Sequence, residues 1–368
     1  MRIDGARVGR YTRAGSRWIR LLIPRRRASG VRVFYGHDLL PAPGDPAAGG
    51  TAKFQRLATR FANSPTDFTL LYLGSTWLPR DLVPLLWLAR RRGAPIVVNQ
   101  SGVAYPGWAG EATDELNRQF RRALLAADHV LYQSEFCKRS ADAFLGEPRG
   151  SWEMLHNAVD VERFAPSATP PRDGPVLLLG GDQTQAYRME VALRTLAQVV
   201  RSEPHARLLV TGRVVSSPAP LIAELGLRGK VELLGRYAQR DAPDLFRRAH
   251  LLLHTKVKDP CPSAVIEAMA CGLPVVYAAS GGTVELVGDE AGIGVPHPDG
   301  WDRDEPPPPD RLAEAVATVL AALPSYGAAA RRRAVERFAL GPWLDRHADL
   351  FDELITAAGL RGPSSRTR

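Results

Sequence analysis

The 368-residue chain carries 48 basic and 39 acidic side chains, a formal net charge of +9, with 45% hydrophobic residues. That is too long for one ordinary core and fits two domains of about 150 to 200 residues each. No apolar run approaches the ~18 residues a membrane span needs, and three cysteines, Cys137, Cys261 and Cys271, are too few and too odd for a secreted disulfide framework. The expected setting is the reducing cytoplasm.

The charge excess sits at the start. Residues 1–30 hold nine arginines, from Arg2 to Arg27, against the single acid Asp4, with Trp18, Ile19, Leu21, Leu22 and Ile23 interleaved. The apolar insert is too short and too interrupted for a signal peptide. Two readings stay open: a peripheral contact with the anionic inner face of a membrane, or a solvated arginine tail. No nucleic-acid motif follows the arginines, so nucleic acid is not an expected partner.

In chain order, Val31–Gly36 reads as a first strand, and Gly49-Gly50-Thr51 opens a helix through Phe54, Leu57 and Phe61. Phe68–Leu73 reads as a strand, Pro84–Arg92 as a helix, and Ala94–Val98 as a buried strand running out at Asn99-Gln100. Tyr105, Pro106 and Trp108 form either an acceptor platform or a packed loop. A helix over 111–127, a strand over His129–Gln133, and a Pro-rich linker from Pro166 to Pro175 follow. The second half repeats the pattern: strand Val176–Leu179 with a turn at Gly180-Gly181, helix 187–201, strands 206–212 and 231–237, helix 242–249 and strand 251–254. Short strand 292–295, an acidic Pro-rich loop 301–310, and helices over 311–323, 331–338 and 343–357 complete the chain, with a disordered tail expected after Gly359. Alternating strands and helices predict an α/β architecture with parallel sheets.

The stretch His254–Glu285 carries the chemistry. Asp259 precedes a helix expected to start at Pro262 or Ser263, Glu267 lies just over a turn into it, and Gly272-Leu273-Pro274 ends it before the strand 274–278. The amides of Ser263 and Ala264 at the helix start offer an anion site. Two acids flanking such a cradle suit a diphosphate with hydroxyls on both sides, as in a nucleotide sugar. No histidine or acid cluster has metal-ligand spacing, so no metal or other cofactor is expected.

Asp259-x7-Glu267 followed by Ala268-Met269-Ala270-Cys271-Gly272-Leu273-Pro274-Val275-Val276 resembles the donor signature of family 4 (group 1) retaining glycosyltransferases of the GT-B fold. That family usually has Glu at the first acid. His156-Asn157-Ala158-Val159-Asp160 resembles its N-G-V-D stretch before the linker, with Ala158 in place of glycine. The resemblance implies two Rossmann-like domains facing a cleft: an acceptor domain over 31–165 and a nucleotide-sugar domain over 176–341. The last helix, 343–358, is then expected back on the first domain.

It also implies roles. Glu267 would hold ribose hydroxyls and Asp259 hydroxyls of the transferred sugar. Gly181 stands where relatives have a diphosphate-gripping arginine, which leaves Arg188 as the substitute, with Lys256, Lys258 and Arg213 adding charge. Gly49 and Gly50 would meet the donor from across the cleft, with Pro262, Ser263 and Ala264 around its phosphates. Asn99 and Gln100 stand where many relatives have histidine; with Tyr105 they form the sugar or acceptor side. The implied reaction is metal-independent, retaining hexosyl transfer to a glycan, lipid-linked or small-molecule acceptor. The alternatives are an epimerase or inverting enzyme of the same fold, or a silent relative that binds a sugar nucleotide or a partner.

Overall fold

The computed structural model describes residues 30–42, 45, 49–168, 171 and 173–360. Apart from Gly30, the arginine-rich segment lies outside them, as does the tail beyond Leu360. The first sheet is built from β1 (Val33–Phe34), α1 (Gly49–Ala58), β2 (Leu70–Gly74), α2 (Leu82–Arg92), β3 (Ile96–Gln100), α3 (Pro106–Ala109), α4 (Thr113–Ala126), β4 (His129–Tyr132), α5 (Glu135–Phe144) and β5 (Ser151–Met154). Its strands are parallel in the order β1-β2-β3-β4-β5. β2, β3 and β4 are buried along their whole length, which is why they read as unbroken apolar runs rather than alternating ones.

The second sheet contains β6 (Val176–Leu179), α6 (Ala186–Ser202), β7 (Arg207–Thr211), α7 (Ala219–Glu224), β8 (Val231–Gly235), α8 (Ala242–Phe246), β9 (Leu251–His254), α9 (Ser263–Ala270), β10 (Val275–Ala279), α10 (Thr283–Val287) and β11 (Gly292–Pro296). Its parallel order is β11-β10-β9-β6-β7-β8. The chain winds outward from β6 to β8, then returns to place β9 beside β6 and winds the other way. β6 and β9 therefore flank the topological switch point, where ligands gather at strand carboxyl ends in open parallel sheets. The turn after β6 and the Asp259 loop after β9 both lie there.

α11 (Pro309–Ala321) packs on α6, and α12 (Leu323–Phe338) on α9. α13 (Leu340–Ala357) crosses back: Trp343, Leu350, Phe351 and Ile355 share one core with Val33, Tyr35, Tyr72 and Val97 of the first sheet. The crossing is pinned where the Val159 amide donates to the Phe338 carbonyl and the Leu340 amide to that of Val159. Among the described residues no single helix is long and apolar enough to cross a membrane.

Several elements differ from expectation, α7 and α10 among them as helices the sequence did not announce. The first strand shortens to two residues. α5 and β5 were unforeseen, and α12 begins eight residues early, at Leu323 rather than Arg331.

Candidate functional site

The loop between β9 and α9 is clamped from two sides. Behind it, the Lys258 amide donates to Ser280 Oγ at 2.9 Å and the Gly282 amide to the Asp259 carbonyl at 2.9 Å. A Cβ on Gly282 would strike the Pro260 carbonyl, so glycine is required there. In front, the first sheet reaches across: Ser134 Oγ donates to the Pro260 carbonyl at 2.6 Å, and Asn157 Nδ2 to the Cys261 carbonyl at 2.8 Å. A Cβ on Gly102 would stand 2.6 Å from Pro260 Cγ. In α9 the Val265 and Ile266 amides turn back to the Pro262 carbonyl. The preceding amides, of Ser263 and Ala264, are first-turn donors with no intrahelical partner, at the positive end of the helix.

Asp259 lies among nitrogen groups. Lys256 Nζ lies 3.1 Å from Oδ1 and His254 Nε2 3.3 Å from Oδ2. Burial alone would push this carboxyl up; Lys256, His254 and Arg188 together hold it far below the usual carboxylate range. Burial lowers the His254 imidazole, so that ring is neutral at neutral pH. Glu267 is the opposite case. It is buried on α9, burial raises its carboxyl, and Arg56 Nη2 and Gln239 Nε2 oppose the shift by donating to the same oxygen, Oε1, at 2.7 and 2.8 Å.

Other residues singled out in the sequence have different surroundings from those expected. Arg188 is buried, neither a solvated helix residue nor an open phosphate fork: Nη1 donates to the Asp182 carbonyl at 2.6 Å and Nη2 to that of Gly180 at 3.1 Å. Burial lowers its pKa. The β6–α6 turn exposes its carbonyls toward the helix, and the guanidinium satisfies them. Arg188 thus braces the turn that holds Gly181, whose φ of +80° suits glycine. Lys258 likewise spends its ammonium on Asp304 Oδ1 (2.8 Å) and the Arg303 carbonyl (2.5 Å), which ties it to the loop after β11. Lys258 Nζ lies 5.0 Å from the Tyr105 ring, and Tyr105 Oη donates to Asp304 Oδ2 at 3.0 Å. Tyr105 is therefore buried, while Trp108 is exposed.

Asn99 and Gln100 are buried as well. Asn99 Oδ1 accepts from Lys53 Nζ at 2.7 Å and from Gln133 Nε2; Gln100 Nε2 turns to the carbonyls of Ser101 and Gly102. Arg213 is exposed, and its backbone amide donates to Asp182 Oδ1 at 2.8 Å. Gly49 and Gly50 open α1 as expected, and a Cβ on Gly50 would sit 3.2 Å from Thr76 Oγ1.

Sequence reading missed Lys53, Arg56, Gln239 and Trp301. A signal existed for the first: Lys53 precedes Leu57 by one helical turn, on the core side of α1. The structure makes it a buried cation whose pKa burial lowers to about 8. From Lys53 a polar chain runs through Asn99, Gln133 and Asn157 to Cys261, joining the first sheet to the Asp259 loop. Trp301 projects from the loop after β11 onto Tyr105, Phe136 and Phe144, with ring centroids 5.3–5.6 Å apart. Its carbonyl accepts from the Gly107 amide at 2.7 Å. Among the described residues no group of three or more His, Cys, Asp or Glu could hold a metal.

Comparison with known proteins gives this geometry a family. Residues 160–331, from the N-A-V-D stretch to α12, match the model for glycosyl transferases group 1. Over that stretch the chain is similar to the group 1 glycosyltransferases. A D-inositol 3-phosphate glycosyltransferase of Catenulispora acidiphila is 28% identical over 261 residues, covering 63% of this chain and 60% of the relative. A GDP-mannose-dependent mannosyltransferase of Corynebacterium glutamicum, acting on a monoacylated phosphatidylinositol monomannoside, is 25% identical over 226 residues, 56% and 58% of the two chains. The matches reach between 51% and 68% of the length of the first three curated relatives. Anabaena HepE, solved with UDP and glucose, superposes with a TM-score of 0.64 at 19% identity, covering 78% of each chain. The chain therefore has the GT-B fold, with two parallel-sheet α/β domains.

Proposed function

We propose that this chain is a metal-independent, retaining hexosyltransferase that uses a nucleoside diphosphate sugar as donor. One observation carries the reading: a helix N-terminus at the switch point of the second sheet, flanked by Asp259 and Glu267 and closed over by the first sheet. The first-turn amides of α9 suit a diphosphate. Glu267, with both protein donors on Oε1, keeps Oε2 free of them to accept from a ribose hydroxyl. Asp259, held ionised by the Lys256 and Arg188 cations and the His254 ring, can accept from hydroxyls of the transferred sugar. As the glycosidic bond breaks, negative charge grows on the diphosphate, where these preorganised donors act most strongly. The departing oxygen then takes the acceptor proton on the same face, which gives retention.

The relatives' names point to UDP or GDP as the nucleotide and to inositol phosphate or phosphatidylinositol mannoside acceptors. For this chain the acceptor class is a small-molecule or lipid-linked hydroxyl. The arginines of residues 1–30 would hold the enzyme at an anionic membrane surface, the peripheral setting that a lipid-linked acceptor requires.

The test is Glu267→Gln. Loss of charge-assisted bonds to the ribose should weaken binding of whichever of UDP or GDP the wild type prefers by about 1.5–3 kcal/mol. Wild-type affinity in the folded variant would take Glu267 out of the site.

A further inference from the structure

Arg56 sits on α1 of the first sheet's domain, yet its guanidinium reaches the donor helix of the other domain. Nη2 donates to Glu267 Oε1 at 2.7 Å, and the two side chains are only 12% and 5% exposed. Gln239 Nε2 fills the second position on the same oxygen. Nη1 is buried and, among the described residues, has no partner. A guanidinium is never deprotonated in a protein, and a buried N–H without an acceptor costs free energy. Half of this fork is thus fixed on the acid beside the diphosphate cradle, and the other half awaits an oxygen.

We propose that Arg56 is a donor-site residue supplied by the first domain: Nη2 orients Glu267, and Nη1 takes a ribose or phosphate oxygen of the bound nucleotide. The inference rests on the nucleotide-sugar reading above. It adds a reason for domain closure. The Arg56–Glu267 contact exists only when the two domains face each other as here, so a nucleotide that bridges both residues stabilises that closed arrangement, by as much as it prefers the closed state to the open one.

Charge reinforces the geometry. Glu267 must be ionised to accept from two hydroxyls. Burial raises it, with Arg56 the strongest opposing group, ahead of Gln239 and Arg163; Tyr237 and Cys271 also face it, from the loop after β8 and the end of α9. Nucleotide affinity should fall as pH drops through the Glu267 pKa. Without Arg56 that pKa rises further, so the loss should begin at a higher pH.

The experiment is titration of UDP and GDP into wild type, Arg56→Ala and Arg56→Lys from pH 5 to 8.5, with melting curves taken without ligand. For the preferred nucleotide, Arg56→Ala should bind about tenfold or more weakly, as expected for a lost charge-assisted contact, with its acid limb moved to higher pH. Arg56→Lys should restore the position of the limb but only part of the affinity, because one ammonium cannot serve both oxygens as a planar fork does. A residue that only stabilised the fold would lower the melting temperature and leave the limb in place. If Arg56→Ala does not fold, Arg56→Lys carries the comparison, and wild-type affinity in it would overturn the proposal. Equal affinities and coincident limbs in a folded Arg56→Ala would overturn it while leaving the proposed function intact. Failure of wild type to bind either nucleotide would remove both.

Discussion

Replacing Lys53 with Met keeps the stem and removes the charge. Lys53 is 3% exposed, and burial takes its pKa from 10.5 to about 8, with Cys261 and Cys137 opposing the shift. At ~1.4 kcal/mol per unit, the buried charge costs the fold about 3 kcal/mol at neutral pH. The native pKa lies below the unfolded one. Below pH 8 the cost is therefore present in full; between pH 8 and 10.5 the native side chain has lost its proton while the unfolded chain keeps it, and stability rises with pH. Lys53→Met abolishes that rise. It also loses the bond to Asn99, a charged contact of about 1.5–3 kcal/mol, so at pH 7 the two proteins should be nearly equal in stability. The sharp quantity is the difference between them. Guanidinium unfolding of both proteins at pH 7, 8.5 and 10 should show the wild type gaining on the variant by about 2–3 kcal/mol across the series, other titrating groups cancelling. A gap that stays flat from pH 7 to 10 would mean that Lys53 is not held as a buried ammonium, and would undo its role in joining the sheets.

Further outcomes follow from the same contacts. Arg188→Ala leaves the Gly180 and Asp182 carbonyls unpartnered, and should cost about 2–4 kcal/mol of stability while weakening nucleoside diphosphate more than free nucleoside; wild-type stability with equal ligand losses would show that the turn does not depend on it. Trp301→Ala removes the aromatic bridge to Tyr105, Phe136 and Phe144, and should speed proteolytic cutting within 297–308, an effect absent if the loop is held by Lys258 and Asp304 alone. Deleting residues 1–29 should abolish salt-sensitive sedimentation with anionic vesicles and spare nucleotide binding; equal sedimentation of both forms would reduce the arginines to a solvated tail.

The elements with strong local signals were legible in the sequence. Val176–Leu179 and Leu251–His254 are apolar runs bounded by turns, and both are strands as read. Pro262 and Gly272 bracket α9 because their backbone preferences act locally. What the sequence hid depends on long-range partners. β5 reads Ser-Trp-Glu-Met, exposed or half-buried, with no apolar period to betray it. α12 starts early with Gly327 in its first turns, where a Cβ would meet the Gly272 carbonyl at 2.8 Å, a contact between distant residues. In the site, the helix start and its two acids were visible from spacing. The partners of those acids were not: Arg56 is 211 residues from Glu267, and nothing local marks the pair. Arg188 and Lys258 were assigned from position along the chain, and the turn and loop carbonyls that capture them are a matter of tertiary geometry.

The most direct measurement is proton NMR of the protein incubated with UDP-glucose and, separately, GDP-mannose, with water as the acceptor. A retaining transferase should release nucleoside diphosphate from one of them and deliver the free sugar first as the α-anomer, before mutarotation mixes the forms, with release lost in Glu267→Gln. First appearance of the β-anomer would contradict retention. Binding of either donor without any release would contradict catalysis itself.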